Sequence, residues 1–331
     1  MARVTTDIDF DRPGKHAGTI SVPNSSNTSG WGTLMVPLLV VNGGKGPTML
    51  FTGGNHGDEY EGPVALLKFA RELQPDGLFG RVIIMPALNL PALLAGQRLS
   101  PIDGKNMNRV FPGDRRGTVT SLIAYFVQNE LLPRADVVVD IHSGGRSMYF
   151  APTVVVHRLP DVDGMSRTLA ALHAFNAPYG LVIEELDAEG MLDTAVEAMG
   201  KILISTELGG SATLSPRTIG IAERGIRNLL AHFGLTNKAI EAPAATRLLE
   251  VPDGSFYLAA EEDGLYEPLV DVEGAVKRGQ ALGQVHDPER PLAPPAAKIA
   301  TQDGILICRH GQGRVARGDT LAVIARDFRA H

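Results

Sequence analysis

The fold of this 331-residue chain is indicated most clearly by residues 48–63, which read Thr48-Met-Leu-Phe-Thr-Gly-Gly-Asn-His-Gly-Asp-Glu-Tyr-Glu-Gly-Pro63. An apolar run at Thr48–Thr52 is followed by two glycines, which free the backbone to turn sharply. A segment with helical character, Glu61–Leu73, comes next. This order of strand, turn and helix is typical of α/β proteins, in which functional side chains follow the carboxyl ends of strands.

The same alternation of short apolar runs and longer helical segments continues on both sides of this stretch. Strands are predicted at Leu34–Val41, Thr48–Thr52, Val82–Pro86, Val137–Ile141 and Ile202–Thr206, and helices at Glu61–Leu73, Val119–Leu132, Asp161–Phe175 and Arg217–His232. Most of the predicted strands are continuously apolar, as strands covered on both faces tend to be. We therefore predict an α/β domain whose sheet is largely parallel and flanked by helices.

The helical periodicity ends near Lys238, and Glu241–Thr246 is a candidate linker. From Arg247 onward, short Val, Leu and Ile runs are separated by glycines, which predicts a small all-β domain. We place the α/β domain, which should carry any functional site, at 1–240 and the β domain at 247–331. A weak internal repeat in this tail resembles the barrel-sandwich fold of biotinyl and lipoyl carriers. The tip between its halves carries Asp287-Pro-Glu-Arg290 rather than a lysine, which favours a structural appendage over a carrier.

Composition excludes several classes of protein. The 31 Lys and Arg residues against 37 Asp and Glu residues give a net charge of −6, which argues against a chain built to grip nucleic acid. The longest apolar run, Leu34–Val41, is too short to span a membrane. Residues 1–17 lack the apolar core of a signal peptide, and the single cysteine, Cys308, excludes an intramolecular disulfide. We expect a cytoplasmic protein with a small-molecule substrate, and the sequence leaves open whether it forms a homo-oligomer.

Two histidines and a glutamate follow predicted strands in a pattern suited to a metal ion. His56 and Glu59 stand three residues apart in the glycine turn, and His142 ends the strand Val137-Val-Val-Asp-Ile-His142. Zinc accepts nitrogen and oxygen ligands, and a catalytic site needs three of them from the protein. Asp140, two residues before His142, either orients a ligand or is a structural carboxylate at the strand end.

A base and three groups that can contact a substrate lie elsewhere in the chain. Glu207 ends the strand of Ile202-Leu-Ile-Ser-Thr-Glu207 and is the expected general base and proton donor to a leaving amine. Asn108 and Arg109 suit a substrate carboxylate, because arginine presents a planar fork of donors and asparagine donates beside it. Arg98 is expected to stabilise the negative oxygen that forms during attack on an acyl group.

Taken together, these residues resemble the succinylglutamate desuccinylase/aspartoacylase family of zinc carboxypeptidase-like enzymes. The shared pattern is Gly-Asn-His-Gly-Asp-Glu at 54–59, Asn-Arg at 108–109, Asp-Ile-His at 140–142 and Thr-Glu-Leu at 206–208. The resemblance implies a mixed sheet flanked by helices with a small C-terminal β domain. It also implies one zinc ion held by His56, Glu59 and His142, with Glu207 as proton shuttle and Asn108, Arg109 and an upstream arginine on the substrate.

Within the family, the segments at 53–63 and 106–112 are similar to the branch that deacetylates Nα-acetyl-L-2,4-diaminobutyrate in ectoine catabolism. That substrate carries a side-chain amine, and the acidic segment Ile183–Glu189 and Asp193 are candidates to receive it, or belong to a solvated acidic loop. An acidic substrate, N-acetylaspartate or N-succinylglutamate, would instead need a further cation such as Arg146. A non-catalytic metal-binding protein whose β domain recruits partners is the alternative from another class, and it predicts loss of a ligand or of the base.

Overall fold

A computed structural model describes residues 4–184 and 189–329. Its strands are β1 Thr5–Thr6, β2 Gly14–Pro23, β3 Thr33–Asn42, β4 Thr48–Gly53, β5 Arg81–Met85, β6 Val137–His142, β7 Met148–His157, β8 Tyr179–Ile183, β9 Ile202–Gly210, β10 Arg247–Val251, β11 Tyr257–Ala259, β12 Gly264–Pro268, β13 Ala275–Val276, β14 Ala281–His286, β15 Ala296–Ile299, β16 Gly304–His310, β17 Arg314–Val315 and β18 Thr320–Asp327. Its α-helices are α1 Glu61–Glu72, α2 Leu90–Ala95, α3 Val119–Phe126, α4 Val162–Phe175, α5 Leu192–Glu197 and α6 Pro216–His232.

The centre of the molecule is a four-stranded parallel block in the order β5-β4-β6-β9. Every residue of β4 and β6 is buried, as expected for strands covered on both faces. Residues of α1, α4 and α6 share a hydrophobic cluster with one face of the sheet, and residues of α3 and α5 share another with the opposite face. All five predicted strands and the four predicted helices are present, and the α/β class is confirmed.

Outside this block only the pairs β7–β8 and β8–β10 are parallel, so the prediction of a largely parallel sheet is wrong for the sheet as a whole. On one side, β3 runs antiparallel to β5, and β2 and β3 form an antiparallel hairpin. On the other side, β7 runs antiparallel to β9. A parallel pair needs a crossover connection of a dozen or more residues, whereas β2 and β3 are joined by a short loop that permits only the antiparallel arrangement. The sheet is therefore mixed, as the family resemblance implies.

The helix predicted at Val119–Leu132 is also shorter than expected. The α-helix ends at Phe126, and the chain continues through a π-helical turn, Val127–Leu131, and a 3₁₀ turn, Leu132–Arg134. Pro133 explains the change, because proline has no N–H to donate and its ring clashes with the preceding turn of an α-helix. Among the helices of the described residues, none is both long and apolar enough to cross a membrane.

The C-terminal strands continue the same sheet. β10 pairs in parallel with β8, β18 pairs with β10 and β16, and β16 returns to pair with β7. Together with the pairing of β7 and β8, these contacts close a circuit of five strands. A second sheet has the order β15-β14-β12-β17. The all-β character predicted for this region is confirmed, and the boundary at 240–247 stays a prediction.

Candidate active site

The three predicted metal ligands meet at the carboxyl ends of β4 and β6. Glu59 lies between the two histidines: its Oε1 is 2.7 Å from His56 Nδ1 and its Oε2 is 2.7 Å from His142 Nδ1. One ligand atom from each residue lies within 4.8 Å of the other two, and all three residues are buried. Residues separated by 83 positions in the chain are thus brought together by the pairing of β4 with β6.

Gly57, in the turn after β4, and Gly62, in the first turn of α1, allow this segment to pack closely against its neighbours. A Cβ atom on Gly57 would lie 1.9 Å from the main-chain carbon of Ala92, and one on Gly62 would lie 2.4 Å from the carbonyl oxygen of Ile141. Both distances are far inside van der Waals contact. The glycines are therefore required because the backbone carrying His56 and Glu59 must approach α2 and β6 this closely.

The outer nitrogen of each histidine ring is held by an acceptor. His142 Nε2 donates to Asp140 Oδ2 at 2.8 Å, and His56 Nε2 donates to Asn106 Oδ1 at 3.1 Å. Acceptors at Nε2 fix the hydrogen on that nitrogen and leave Nδ1 of each ring directed at Glu59, as in metal sites where a carboxylate or carbonyl orients the ligating histidine. Asp140 is therefore placed to orient a ligand, the first of the two interpretations that the sequence left open.

Asp140 is itself fixed from two sides. Thr52 Oγ1 donates to its Oδ1 at 2.7 Å and Asn55 Nδ2 donates to its Oδ2 at 2.8 Å. Burial alone would raise the pKa of this carboxyl, but the charge of His142 and these hydrogen bonds hold the pKa below its usual value. Asp140 consequently stays ionised beside the ring that it orients.

Charges in the ligand cluster favour a cation. Burial would raise the pKa of Glu59, but the two histidines outweigh burial and hold it well below its usual range. Burial would lower the pKa of His142, yet the charges of Asp140 and Glu59 raise it well above its ordinary value. The positive charge of His142 balances part of the charge of the two carboxylates, and a metal ion would supply that balance once this proton is released. The donor set of two imidazoles and one carboxylate suits a zinc ion.

Glu207 lies beside this cluster. It is in register with His142 across the parallel pair of β6 and β9, so the two side chains project from the same face of the sheet. Its Oε2 is buried and has no hydrogen-bond partner among residues 4–184 and 189–329. Burial, followed by repulsion from Glu59, raises its pKa to about 8. A carboxyl poised near neutrality suits a group that takes up and returns a proton.

Arg98 also reaches the ligand cluster. Its Nη1 lies 3.5 Å from Glu59 Oε1, and its side chain is 41% exposed. The turn that carries it is tied to the ligand turn, because Gly57 N donates to the carbonyl oxygen of Gln97 at 3.0 Å. Arg98 is thus a cation at the rim of the crevice, within reach of both the ligands and solvent.

Asn108 and Arg109 lie on a 3₁₀ turn, Met107–Arg109, and differ in their surroundings. Asn108 is buried, and its Oδ1 accepts a hydrogen bond from Leu192 N at 2.9 Å. Arg109 is exposed, and its Nη1 donates to the carbonyl oxygen of Asn108 at 2.7 Å. The hydrogen bond from Leu192 N orients the amide of Asn108, and its Nδ2 is the donor that can contact a substrate.

Asn55 and Asn106 have hydrogen-bonding roles that the sequence did not predict, although both lie close to predicted site residues. Asn55 directly precedes His56, and Asn106 lies two residues before Asn108. Only their positions could have indicated these roles, because both are amide side chains in turns next to the predicted site. Of the candidates for the substrate amine, 185–188 lie outside the described residues, whereas Asp193 is described and buried. Arg146 is exposed and its Nη2 donates to the carbonyl oxygen of Gly96 at 3.3 Å.

Comparison with known proteins identifies relatives along nearly the whole chain. The profile of the succinylglutamate desuccinylase/aspartoacylase catalytic domain matches residues 45–233. A protein of Halomonas elongata named N-alpha-acetyl-L-2,4-diaminobutyric acid deacetylase is 45% identical over 323 residues, which make up 97% of this chain and 94% of that protein.

Solved structures agree with this result. The product-bound ectoine utilization protein EutE (DoeB) of Ruegeria pomeroyi is 43% identical, with a TM-score of 0.96 over 98% of this chain and 99% of that chain. A succinylglutamate desuccinylase from Silicibacter sp. TM1040 is 44% identical, with a TM-score of 0.96 over 99% of each chain. These matches confirm the family resemblance and the fold class that the sequence indicated.

Proposed function

The chain belongs to the succinylglutamate desuccinylase/aspartoacylase family, and on that premise we propose that it is a zinc-dependent amidohydrolase that deacetylates Nα-acetyl-L-2,4-diaminobutyrate in ectoine degradation. The observation that carries the proposal is the meeting of His56, Glu59 and His142 beside Glu207 in a chain this similar to a named deacetylase. A non-catalytic protein would be expected to lack a ligand or the base, and all four residues are present.

One zinc ion would be held by His56, Glu59 and His142, a donor set that fits it. When bound, the ion supplies Lewis-acid polarisation of the acyl carbonyl and of water. Asp140 and Asn106 contribute by holding Nε2 of the two rings, so that both Nδ1 atoms point to one place. The protein thereby provides a preformed site.

The remaining residues act on the substrate and on protons. Glu207 takes the proton of the attacking water and returns it to the amine nitrogen as the amide bond breaks; its raised pKa, about 8, suits both steps. Arg98 stabilises the negative oxygen that replaces the carbonyl, since it already lies 3.5 Å from Glu59. Arg109 and the Nδ2 of Asn108 bind the α-carboxylate and orient the acyl group.

Two candidates exist for the amino acid that carries the acyl group in the substrate. The Halomonas elongata relative favours diaminobutyrate as the product, whereas the Silicibacter neighbour, named a succinylglutamate desuccinylase, keeps an acidic N-acyl amino acid as the second candidate. An acidic side chain would need a cation in the pocket. Arg146 does not supply a buried one, because it is exposed and its Nη2 donates to the carbonyl oxygen of Gly96.

The buried single thiol of Cys308 suits a reducing compartment, and we propose the cytoplasm as the location.

Acetate release from Nα-acetyl-L-2,4-diaminobutyrate, compared with N-acetylaspartate and with succinate release from N-succinylglutamate, tests the proposal. Zinc-loaded protein is expected to turn over the diaminobutyrate derivative most efficiently, to lose activity on chelation and to regain it when zinc is restored. Preference for an acidic substrate would move the substrate assignment, and no turnover of any of the three by zinc-loaded protein would overturn the proposed reaction.

A further inference from the structure

One buried carboxylate near the site takes no part in the mechanism described above. Asp193, in the first turn of α5, is 6% exposed, and its Oδ1 has no hydrogen-bond partner within the part of the chain that the structure describes. A buried charge without a partner destabilises a protein, so native structures rarely keep one unless a ligand uses it. Asp193 therefore calls for a functional explanation.

The backbone around Asp193 is fastened to the turn that carries Asn108 and Arg109. Leu192 N donates to Asn108 Oδ1 at 2.9 Å, and Phe111 N donates to the carbonyl oxygen of Gly190 at 2.9 Å. Gly190 packs so closely that a Cβ atom there would lie 2.6 Å from the carbonyl carbon of Arg109. The position of Asp193 is thus fixed relative to the residues proposed to bind the α-carboxylate.

Asp193 also lies within electrostatic range of the catalytic centre. Its carboxylate interacts electrostatically with His142 and Asp140, and its charge contributes to the raised pKa of Glu207. His157 and Glu197 act on it from β7 and from the next turn of α5, and these two form their own pair at 2.9 Å. His142 is likewise already bonded to Asp140 and Glu59. Asp193 thus lies near the centre and keeps a buried oxygen with no hydrogen-bond partner among the described residues.

We propose that Asp193 receives the side-chain ammonium of the substrate and makes the site selective for N-acyl amino acids with a short cationic side chain. The inference rests on the proposed function and deepens it. A primary ammonium offers three donors, and a buried carboxylate oxygen is the acceptor that forms its strongest hydrogen bonds. Burial raises the pKa of Asp193 to about 6, which keeps the group largely ionised at neutral pH. The same negative charge repels an acidic side chain, which adds discrimination against aspartate and glutamate derivatives.

The test compares zinc-loaded wild type with Asp193→Asn on two substrates of equal shape, Nα-acetyl-2,4-diaminobutyrate and Nα-acetylnorvaline, which has a methyl group in place of the ammonium. The wild type is expected to prefer the cationic substrate in kcat/KM. Asp193→Asn is expected to reduce that preference about 10- to 100-fold, through the cationic substrate alone, because a charge-assisted hydrogen bond is lost. Glu197→Gln, one turn further along α5, is the matched control and should keep the wild-type preference.

Each outcome is decisive. Equal losses on both substrates would mean that Asp193 is structural, and an unchanged preference would mean that another group binds the ammonium; either overturns the inference while leaving deacetylation in place. Failure of the wild type to hydrolyse the cationic substrate would overturn the proposed function itself. If Asp193→Asn does not fold, a crystal structure of wild type with 2,4-diaminobutyrate decides: its side-chain nitrogen should lie about 3 Å from Asp193 Oδ1, and a nitrogen bound elsewhere contradicts the inference.

Discussion

Two neighbouring groups of ionisable side chains differ in how many of their polar atoms have hydrogen-bond partners within the protein. In the ligand cluster of His56, Glu59 and His142, every ring nitrogen has a partner: Glu59 at both Nδ1 atoms, Asn106 and Asp140 at the Nε2 atoms. In the crevice pair, Glu207 and Asp193, each carboxylate has a buried oxygen with no partner among the described residues.

This difference indicates that the two groups have different roles: the first is oriented in advance for a metal ion, and the second binds groups of the substrate and the attacking water. The ligand cluster is held in place by the protein, so a metal ion finds its ligands already oriented. The crevice pair keeps acceptor atoms for groups that arrive with the substrate and the attacking water, at the expense of stability. Substitutions in the first group should therefore impair metal binding, and substitutions in the second should impair catalysis or selectivity while leaving the metal bound.

The largest effect is expected from removal of a ligand. His142→Ala should reduce bound zinc from about one ion per chain to almost none and abolish deacetylation, because a catalytic zinc site needs three protein ligands. Elemental analysis after dialysis measures the zinc. His286→Ala, which alters a histidine with a 44% exposed side chain paired to Glu267, is the control and should keep full zinc. Normal zinc in His142→Ala would show that the ligand set is wrong.

Substitution of the proposed base should lower catalysis without affecting metal binding. Glu207→Gln is expected to lower kcat about 100- to 10,000-fold, the range that general acid–base groups contribute, with zinc content unchanged. Steady-state kinetics and elemental analysis on the same preparation provide the check. Retained activity would remove Glu207 from the mechanism, and lost zinc would place it among the ligands.

A smaller effect on zinc binding is expected from substitution of the two residues that orient the histidine rings. Asp140→Asn and Asn106→Ala should each weaken zinc binding about 10- to 100-fold, measured by competition with a chelator. Asp140 should matter more, because its carboxylate is ionised and also accepts from Thr52 and Asn55. Zinc affinity unchanged in both variants would contradict the view that the cluster is preorganised from outside.

The smallest effect concerns stability. The pKa of Asp193 is raised to about 6 in the folded protein, above the ordinary value near 4. The folded state therefore holds this proton more tightly, so the carboxyl destabilises the protein increasingly as pH rises from about 4 to 6 and fully above that range. Metal-free Asp193→Asn should match wild type in thermal unfolding near pH 4 and be more stable by roughly 1–3 kcal/mol at pH 7–8. A variant less stable at pH 7 would show that Asp193 stabilises the fold.

Much of this arrangement can be predicted from the sequence, because its signals are local. Continuous apolar runs identify β4, β6 and β9. Side chains at the carboxyl ends of neighbouring parallel strands lie at one edge of the sheet, which predicts that His56, His142 and Glu207 are close together. Two antiparallel strands, β2 and β7, are harder to predict. Residues of β2 are partly exposed, and β7 pairs with both β8 and β16, partners that only the folded chain brings together.

The roles of Asn106 and Asp193 are also difficult to predict from the sequence, because they depend on contacts between distant segments. Asn106 meets His56 across 50 residues, and the burial of Asp193 depends on how α5 packs against the turn of Asn108. Nothing in the residues around Asp193 distinguishes it from the solvated acids nearby; only its burial and its unpartnered oxygen do so. Long-range packing, rather than residue type, sets these two roles.

The central claim, that His56, Glu59 and His142 hold one zinc ion through a preformed cluster, is tested most directly by diffraction from zinc-loaded crystals at energies on both sides of the zinc absorption edge. We predict one anomalous peak per chain, within bonding distance of Nδ1 of both histidines and the Glu59 carboxylate, with Asp140 and Asn106 still on the Nε2 atoms. A peak at other residues, or coordination through Nε2 with these two partners displaced, would contradict it.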